Sequence, residues 1–123
     1  MTQVYQNHIQ KIIDQYPIDT GQCRQCARGI YDLLTAEGFD AQIGYMETDT
    51  RFLSLADGRQ LSRRPRRSNS LAYHVFVQVD NIVYDAVTGA SGMAIEAYKA
   101  LFYEDVFKDK TIRLTYYEYW SQM

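Results

Sequence analysis

Cysteine, proline, histidine and tryptophan are scarce in this chain of 123 residues, which holds two cysteines, two prolines, two histidines and one tryptophan. Two cysteines are too few for a disulfide-stapled scaffold. Neither charge sign is in excess: 13 Lys and Arg stand against 15 Asp and Glu, a net charge of −2. No global field therefore draws the chain to nucleic acid or to a membrane surface. No apolar run is long enough to span a bilayer. The opening stretch "MTQVYQNHIQKIID" lacks the basic-then-apolar plan of a signal peptide. Repeats and low-complexity linkers are also missing. The expectation is one soluble, cytoplasmic domain over residues 1–123, with no membrane association.

What is present suits an ordinary core: 46% of residues are hydrophobic, and the 11 tyrosines fit half-buried strands. Val4, Tyr5, His8, Ile9, Ile12, Ile13 and Tyr16 recur at helical spacing, which predicts a helix over residues 2–15 with Pro17 just beyond it. His8, among those apolar residues, reads as structural. A second helix is predicted from an N-cap near Thr20, with a stripe of Cys23, Cys26, Ala27, Ile30, Leu33 and Leu34 and a C-cap at Gly38. The period then changes to two. Ala41, Ile43 and Tyr45 mark a strand, and Phe52, Leu53 and Leu55 a shorter one ending at the Asp57-Gly58 turn. "RQLSRRPRRSNS" reads as an exposed basic loop, gating the site from Gln60 to Ser70. "LAYHVFVQV" and "IVYDAV" form a hairpin around Asp80-Asn81. A third helix follows from about Met93 to Glu104, with Ile95, Tyr98, Leu101 and Phe102 as its stripe, and "TIRLTYYEYW" closes as a strand. The order α-α-β-β-β-β-α-β predicts an α+β fold with the N-terminal helices packed on an antiparallel sheet.

The hairpin makes a chemical statement. With a two-residue loop, Val79 faces Ile82, and counting back sets Phe76 opposite Asp85 and His74 opposite Val87. His74, Phe76, Asp85 and Val87 then share one sheet face. Diagonal neighbours lie roughly 7–8 Å apart at the backbone, so Asp85 can accept a hydrogen bond from one imidazole nitrogen of His74. Cys23 falls in the first turn of the second helix, where unbonded N–H groups and the helix dipole favour a thiolate. Cys26 lies one turn deeper. Both cysteines fall on the apolar stripe and should face the sheet carrying His74. A thiol at a helix start, an imidazole and a carboxylate form a Cys-His-Asp triad. Such a triad would line a surface cleft, so its substitutions are expected to change stability little.

"GQCRQCARGIYDLLTAEGFDAQIGY" followed by "HVFVQVDNIVYDAVTG" resembles the papain-like and transglutaminase-like cysteine-hydrolase superfamily. Gly21, Cys23, Ala27, Leu33, Leu34, Gly38, His74 and Asp85 match its bacterial transglutaminase-like pattern in order. The second cysteine in "CRQCA" and the "YDAVTG" stretch are most similar to papain-fold toxin domains of bacteria. The resemblance implies a papain-like core, with Cys23, His74 and Asp85 as catalytic residues acting on amide bonds. Peptidase, deamidase and transglutaminase outcomes all stay open. It also implies a protein or peptide substrate, no cofactor, an inhibitory (immunity) protein as a partner, and delivery to a target cell if the chain belongs to a toxin system. Papain-type peptidases carry a Gln six residues before the nucleophile; that position is Pro17 counted from Cys23 and Thr20 counted from Cys26. Gln22 and Cys26 therefore stand as oxyanion or site-flanking candidates. Helix position favours Cys23 over Cys26 as nucleophile.

Rival readings use the same residues. A zinc site from Cys23, Cys26, His74 and Asp85 has acceptable ligand types, but a second Cys pair is missing, so no metal is expected. A redox Cys-x-x-Cys pair needs a strand before it, and here a helix and Pro17 precede it. The "RRPRR" run, with Arg64 and Arg67, has no aromatic stacking platform, so no nucleic-acid function is built on it. The runner-up is a catalytically inactive protein-interaction domain on the same fold, whose affinity would follow Arg64 and Arg67.

Overall fold

The computed structural model describes residues 2–18, 22–48, 55–59, 73–103 and 112–123. In chain order these form α1 (Gln3–Gln15), α2 (Cys23–Ala36), β1 (Ala41–Thr48), β2 (Tyr73–Val79), β3 (Ile82–Tyr84), β4 (Met93–Ala94), α3 (Ile95–Tyr103) and β5 (Ile112–Tyr117), with a short 3-10 turn at Trp120–Gln122. The strands form one sheet in the order β4-β3-β2-β1-β5. Every pairing is antiparallel. Three helices on a five-stranded antiparallel sheet make the fold α+β.

Side-chain alternation gives the sheet two buried faces. Ile43, Val75, Val77 and Tyr84 point to one side, where they meet Cys26, Ala27, Ile30 and Leu34 of α2 and Ile9 and Ile13 of α1. Met46, Phe76 and Val83 point to the other, against Ile95, Tyr98 and Phe102 of α3. The sheet is thus sandwiched between the α1–α2 pair and α3. Phe76 lies directly opposite Gly44 on β1. A Cβ on Gly44 would overlap the Phe76 ring, so the ring occupies the space a side chain would need.

Helix α2 ends as its sequence predicts. Gly38, at φ +89, sends its N–H to Thr35 O at 3.1 Å, and Phe39 sends its own to Leu34 O at 3.0 Å. These two bonds define a Schellman stop, which favours glycine at the left-handed position. The expected N-cap Thr20, and Gly21, lie outside the described residues. The cap position belongs to Gln22, which makes no side-chain cap bond.

Apart from the strand predicted at Phe52, Leu53 and Leu55, the predicted elements recur in order among the described residues, and one strand is added. Phe52 and Leu53 lie outside the described residues, and Leu55 sits in a turn, its N–H bonded to Arg59 O at 2.8 Å. The additional strand is β4. Met93 and Ala94 pair with Val83 and Ile82, so α3 begins at Ile95 rather than Met93. The basic loop Gln60–Ser70, with Arg64 and Arg67, also lies outside the described residues.

Candidate active site

The turn between β2 and β3 sets the site's register. Asp80 takes φ 54 and is the only non-glycine described residue with positive φ, which is the type II′ pattern of positive φ at the first central residue of a two-residue hairpin loop. Val79 then pairs with Ile82 and Val77 with Tyr84, as the two-residue loop predicts. The ladder stops at Tyr84. From Asp85 the chain turns back, and Gly89 N–H bonds Asp85 O at 3.1 Å. His74 consequently has no ladder partner at Val87, but the face assignment of His74 and Asp85 stands.

Asp85 is held from all sides. His74 Nε2 lies 2.7 Å from its Oδ2, and the Tyr98 hydroxyl donates to the same oxygen at 2.5 Å. Its Oδ1 accepts the Val87 and Thr88 N–H groups, each at 2.9 Å. Thr88 Oγ1 in return accepts the Asp85 N–H at 3.1 Å. The exchange resembles a helix capping box and follows from "DAVT", an Asp with a hydroxyl three residues on. His74 and Asp85 are each only 2% exposed. Buried charge at such a position demands this degree of pairing.

The cysteines approach from the opposite layer. Sequence spacing places them over the sheet face that carries His74. In the structure that face is covered by α3, and the His74 ring lies 6.4 Å from the Tyr98 ring and 5.9 Å from the Phe102 ring. Helix α2 covers the other face, where Cys26 joins Val75 and Val77. Periodicity reports which residues share a face, not which helix packs on it. Contact is made where β3 ends: the Ala86 backbone hydrogen-bonds Cys26 and the Asp85 charge acts on it, while Cys23 acts on His74.

The two thiols have different surroundings. Neither is in a disulfide; Cys23 is partly exposed and Cys26 is buried. The Cys26 thiol is pushed up to about 12, first by burial, then by the charges of Asp85 and Cys23, against the hydrogen bond to Ala86. Its N–H is bonded to Gln22 O at 3.0 Å, so the helix has taken it as a donor. Cys26 flanks the site and fits neither nucleophile nor oxyanion donor. Cys23 is the first residue of α2, ahead of that bond, in the turn where the helix dipole concentrates positive potential.

Burial opposes charge on His74, but hydrogen bonding to Asp85 and to Cys23, with the charges of both, raises its pKa to about 10. Its Nε2 is committed to Asp85. Its Nδ1 is buried and, among the described residues, has no partner at hydrogen-bonding geometry, so this is the nitrogen left to face the Cys23 thiol that acts on the ring. Catalytic thiol–imidazole contacts are commonly long before substrate binds.

Tyr98 is the site residue that sequence reading missed. Its place on the stripe Ile95, Tyr98, Leu101 and Phe102 reads as core. The available signal was chemical: a tyrosine on a fully buried stripe needs a partner for its hydroxyl. Burial, then the charge and hydrogen bond of Asp85, raise Tyr98 well above the usual phenol value, so it stays a donor. His8 is exposed rather than part of the core. Among the described residues no group of three or more His, Cys, Asp or Glu side chains could hold a metal ion, and no helix is long and apolar enough to cross a membrane.

A groove of about 490 Å³ is lined by Tyr16 of the α1 end, Arg24, Gln25 and Arg28 of α2, and Trp120, and Cys23 is not among its lining residues. The Arg24 and Arg28 guanidinium groups lie 5.7 and 5.0 Å from the Trp120 ring centroid. His74 and Asp85 do not line it. Comparison of the chain with protein-family models, with curated proteins and with solved structures finds no match in any of the three.

Proposed function

We propose that the chain is a papain-like or transglutaminase-like cysteine hydrolase or acyltransferase that acts on amide bonds of a protein or peptide. One observation carries the reading: a buried imidazole bonded to a carboxylate at 2.7 Å is coupled through hydrogen bonding and charge to a thiol at a helix start. Each group has a different job. Asp85 fixes the tautomer of His74 and supplies its counter-charge. His74 takes the Cys23 proton and holds it. The Cys23 thiolate attacks the amide carbonyl carbon, and the oxyanion forms at the first turn of α2, with Gln22 beside it. The tetrahedral adduct collapses as the C–N bond breaks, and His74 delivers its proton to the leaving amine. A thioester on Cys23 remains. Water or an amine then attacks it while His74 accepts the nucleophile's proton, and the thiolate departs. Hydrolysis, deamidation and acyl transfer differ in the leaving amine and the acceptor, not in the triad.

The runner-up is an inactive interaction domain. It draws on the groove, whose lining includes none of Cys23, His74 and Asp85. A toxin-type role and an inhibitory partner protein rest on the sequence resemblance alone. The discriminating experiment is incubation with a panel of glutamine-containing and amide-linked peptides, followed by mass spectrometry of the intact chain. The expected result is an acyl adduct on Cys23 that hydroxylamine releases and that Cys23→Ala and His74→Ala abolish. An adduct on Cys26, or none with any peptide, contradicts the enzyme reading.

A further inference from the structure

Asp85 Oδ2 serves two donors at once. His74 Nε2 lies 2.7 Å away and the Tyr98 hydroxyl 2.5 Å away, while Oδ1 is taken by two backbone N–H groups. The carboxylate therefore has no vacant direction in which to rotate. Tyr98 is 0% exposed, wedged among Phe76 and Phe102 with ring centroids 5.0 Å from each. A phenylalanine would fill that volume as well. A buried hydroxyl is costly unless it is bonded, so packing alone gives no reason for the oxygen. What the oxygen adds is a hydrogen bond to the carboxylate that holds His74.

Building on the hydrolase reading, we propose that Tyr98 is a positioning residue of the triad. It shares Asp85 Oδ2 with His74 and thereby limits how much of the carboxylate's charge reaches the imidazole. Two donors on one oxygen compete, and each weakens the other's bond. An imidazolium bound too tightly to its carboxylate is a poor proton donor to a leaving amine, because acid catalysis works best with a pKa near the working pH. Tyr98 acts as the brake on that tightening. The charged and titratable groups that reach the pair are Cys23 from α2 and Asp85 from the end of β3, Cys26 beside Asp85, and Tyr116 of β5 behind Tyr98. From β1 the residue facing His74 is Met46, which does not titrate.

The test is titration of the histidine ring protons by NMR, which requires no substrate. The chain has two histidines, and the exposed His8 is an internal reference. Tyr98→Phe removes the competing donor and should move the His74 transition to higher pH by roughly half a unit or more. A ring-fluorinated tyrosine at position 98 is a stronger donor of nearly the same size and should move it to lower pH. His8 should not move in either. Opposite shifts support the proposal, because a residue that only fills space gives no such reversal of sign. Shifts in the same direction, or none, overturn it. If Tyr98→Phe does not fold, the fluorinated chain decides alone: a downward shift supports the brake, and an unmoved or upward transition overturns it. The hydrolase reading fails separately, through absent acylation of Cys23, an outcome that leaves the ring titration unaltered.

Discussion

His74 and Asp85, eleven positions apart, meet at 2.7 Å through Nε2 and Oδ2 with both side chains buried. The hairpin turn delivers them to one face, and the chain reversal after Tyr84 aims the carboxylate back at the ring. The pair is consequently part of the interior as well as the centre of the candidate site.

Burial changes what Asp85→Asn should do. A triad in a surface cleft would tolerate it, but here the carboxylate accepts four donors. An amide must turn its NH₂ toward two of them whichever way it is oriented. Leaving buried donors unpaired costs about 1–3 kcal/mol. Chemical denaturation should show a loss of that size for Asp85→Asn; a loss below about 0.5 kcal/mol contradicts the observed bonding.

The His74 proton links pH to stability with a definite sign. Its pKa is raised in the fold from 6.5 to about 10. The stability it contributes is fully present below the unfolded value and is lost as pH rises through the folded one. The Cys23 thiol shares in that rise, so the measurement belongs in Cys23→Ala, which isolates the His74–Asp85 pair. There the raise rests on Asp85 alone, so, compared with Cys23→Ala/His74→Gln, that chain should lose stability as pH rises from about 6.5, over a narrower span than the intact chain's His74 would give and by at most about 1.4 kcal/mol per unit. A difference that is flat or rises over the range contradicts a raised pKa.

Gly44 and Phe76 should behave as a coupled pair. Gly44→Ala forces a Cβ into the Phe76 ring, an overpacking that costs typically 1–3 kcal/mol. Phe76→Leu alone opens a void next to Tyr98 and also destabilises. The double variant should recover part of the loss, and a double-mutant cycle in denaturant measures the coupling. Simple additivity would show that the ring does not occupy the space above Gly44.

Much of this was legible from the chain because turns and periods act locally. Asp80-Asn81 fixed the pairing of Val79 with Ile82, and with it the shared face of His74 and Asp85. Gly38 marked the end of α2. The apolar stripe Cys26, Ala27, Ile30 and Leu34 named the helix's buried side. The identity of the layer over His74 was not legible, since helical period in α2 and α3 is equally compatible with either face. Nor was β4, whose two residues are too few for a period. The pairing of β5 with β1 is a long-range contact that no local pattern encodes. Tyr98 was hidden by its own packing, because a core tyrosine and a tyrosine holding a carboxylate have the same spacing.

The most direct test of the central claim is the rate of iodoacetamide alkylation at each cysteine against pH, by peptide mapping of the wild-type chain and His74→Ala. Alkylation reads the thiolate without requiring the substrate. The expected result is modification of Cys23 well below pH 8.5, near which a free cysteine ionises, with Cys26 inert while the chain is folded. In His74→Ala the Cys23 profile should move up toward that of a free thiol. Faster alkylation of Cys26, or a Cys23 profile unchanged by loss of His74, would contradict a thiol activated by the buried His74–Asp85 pair.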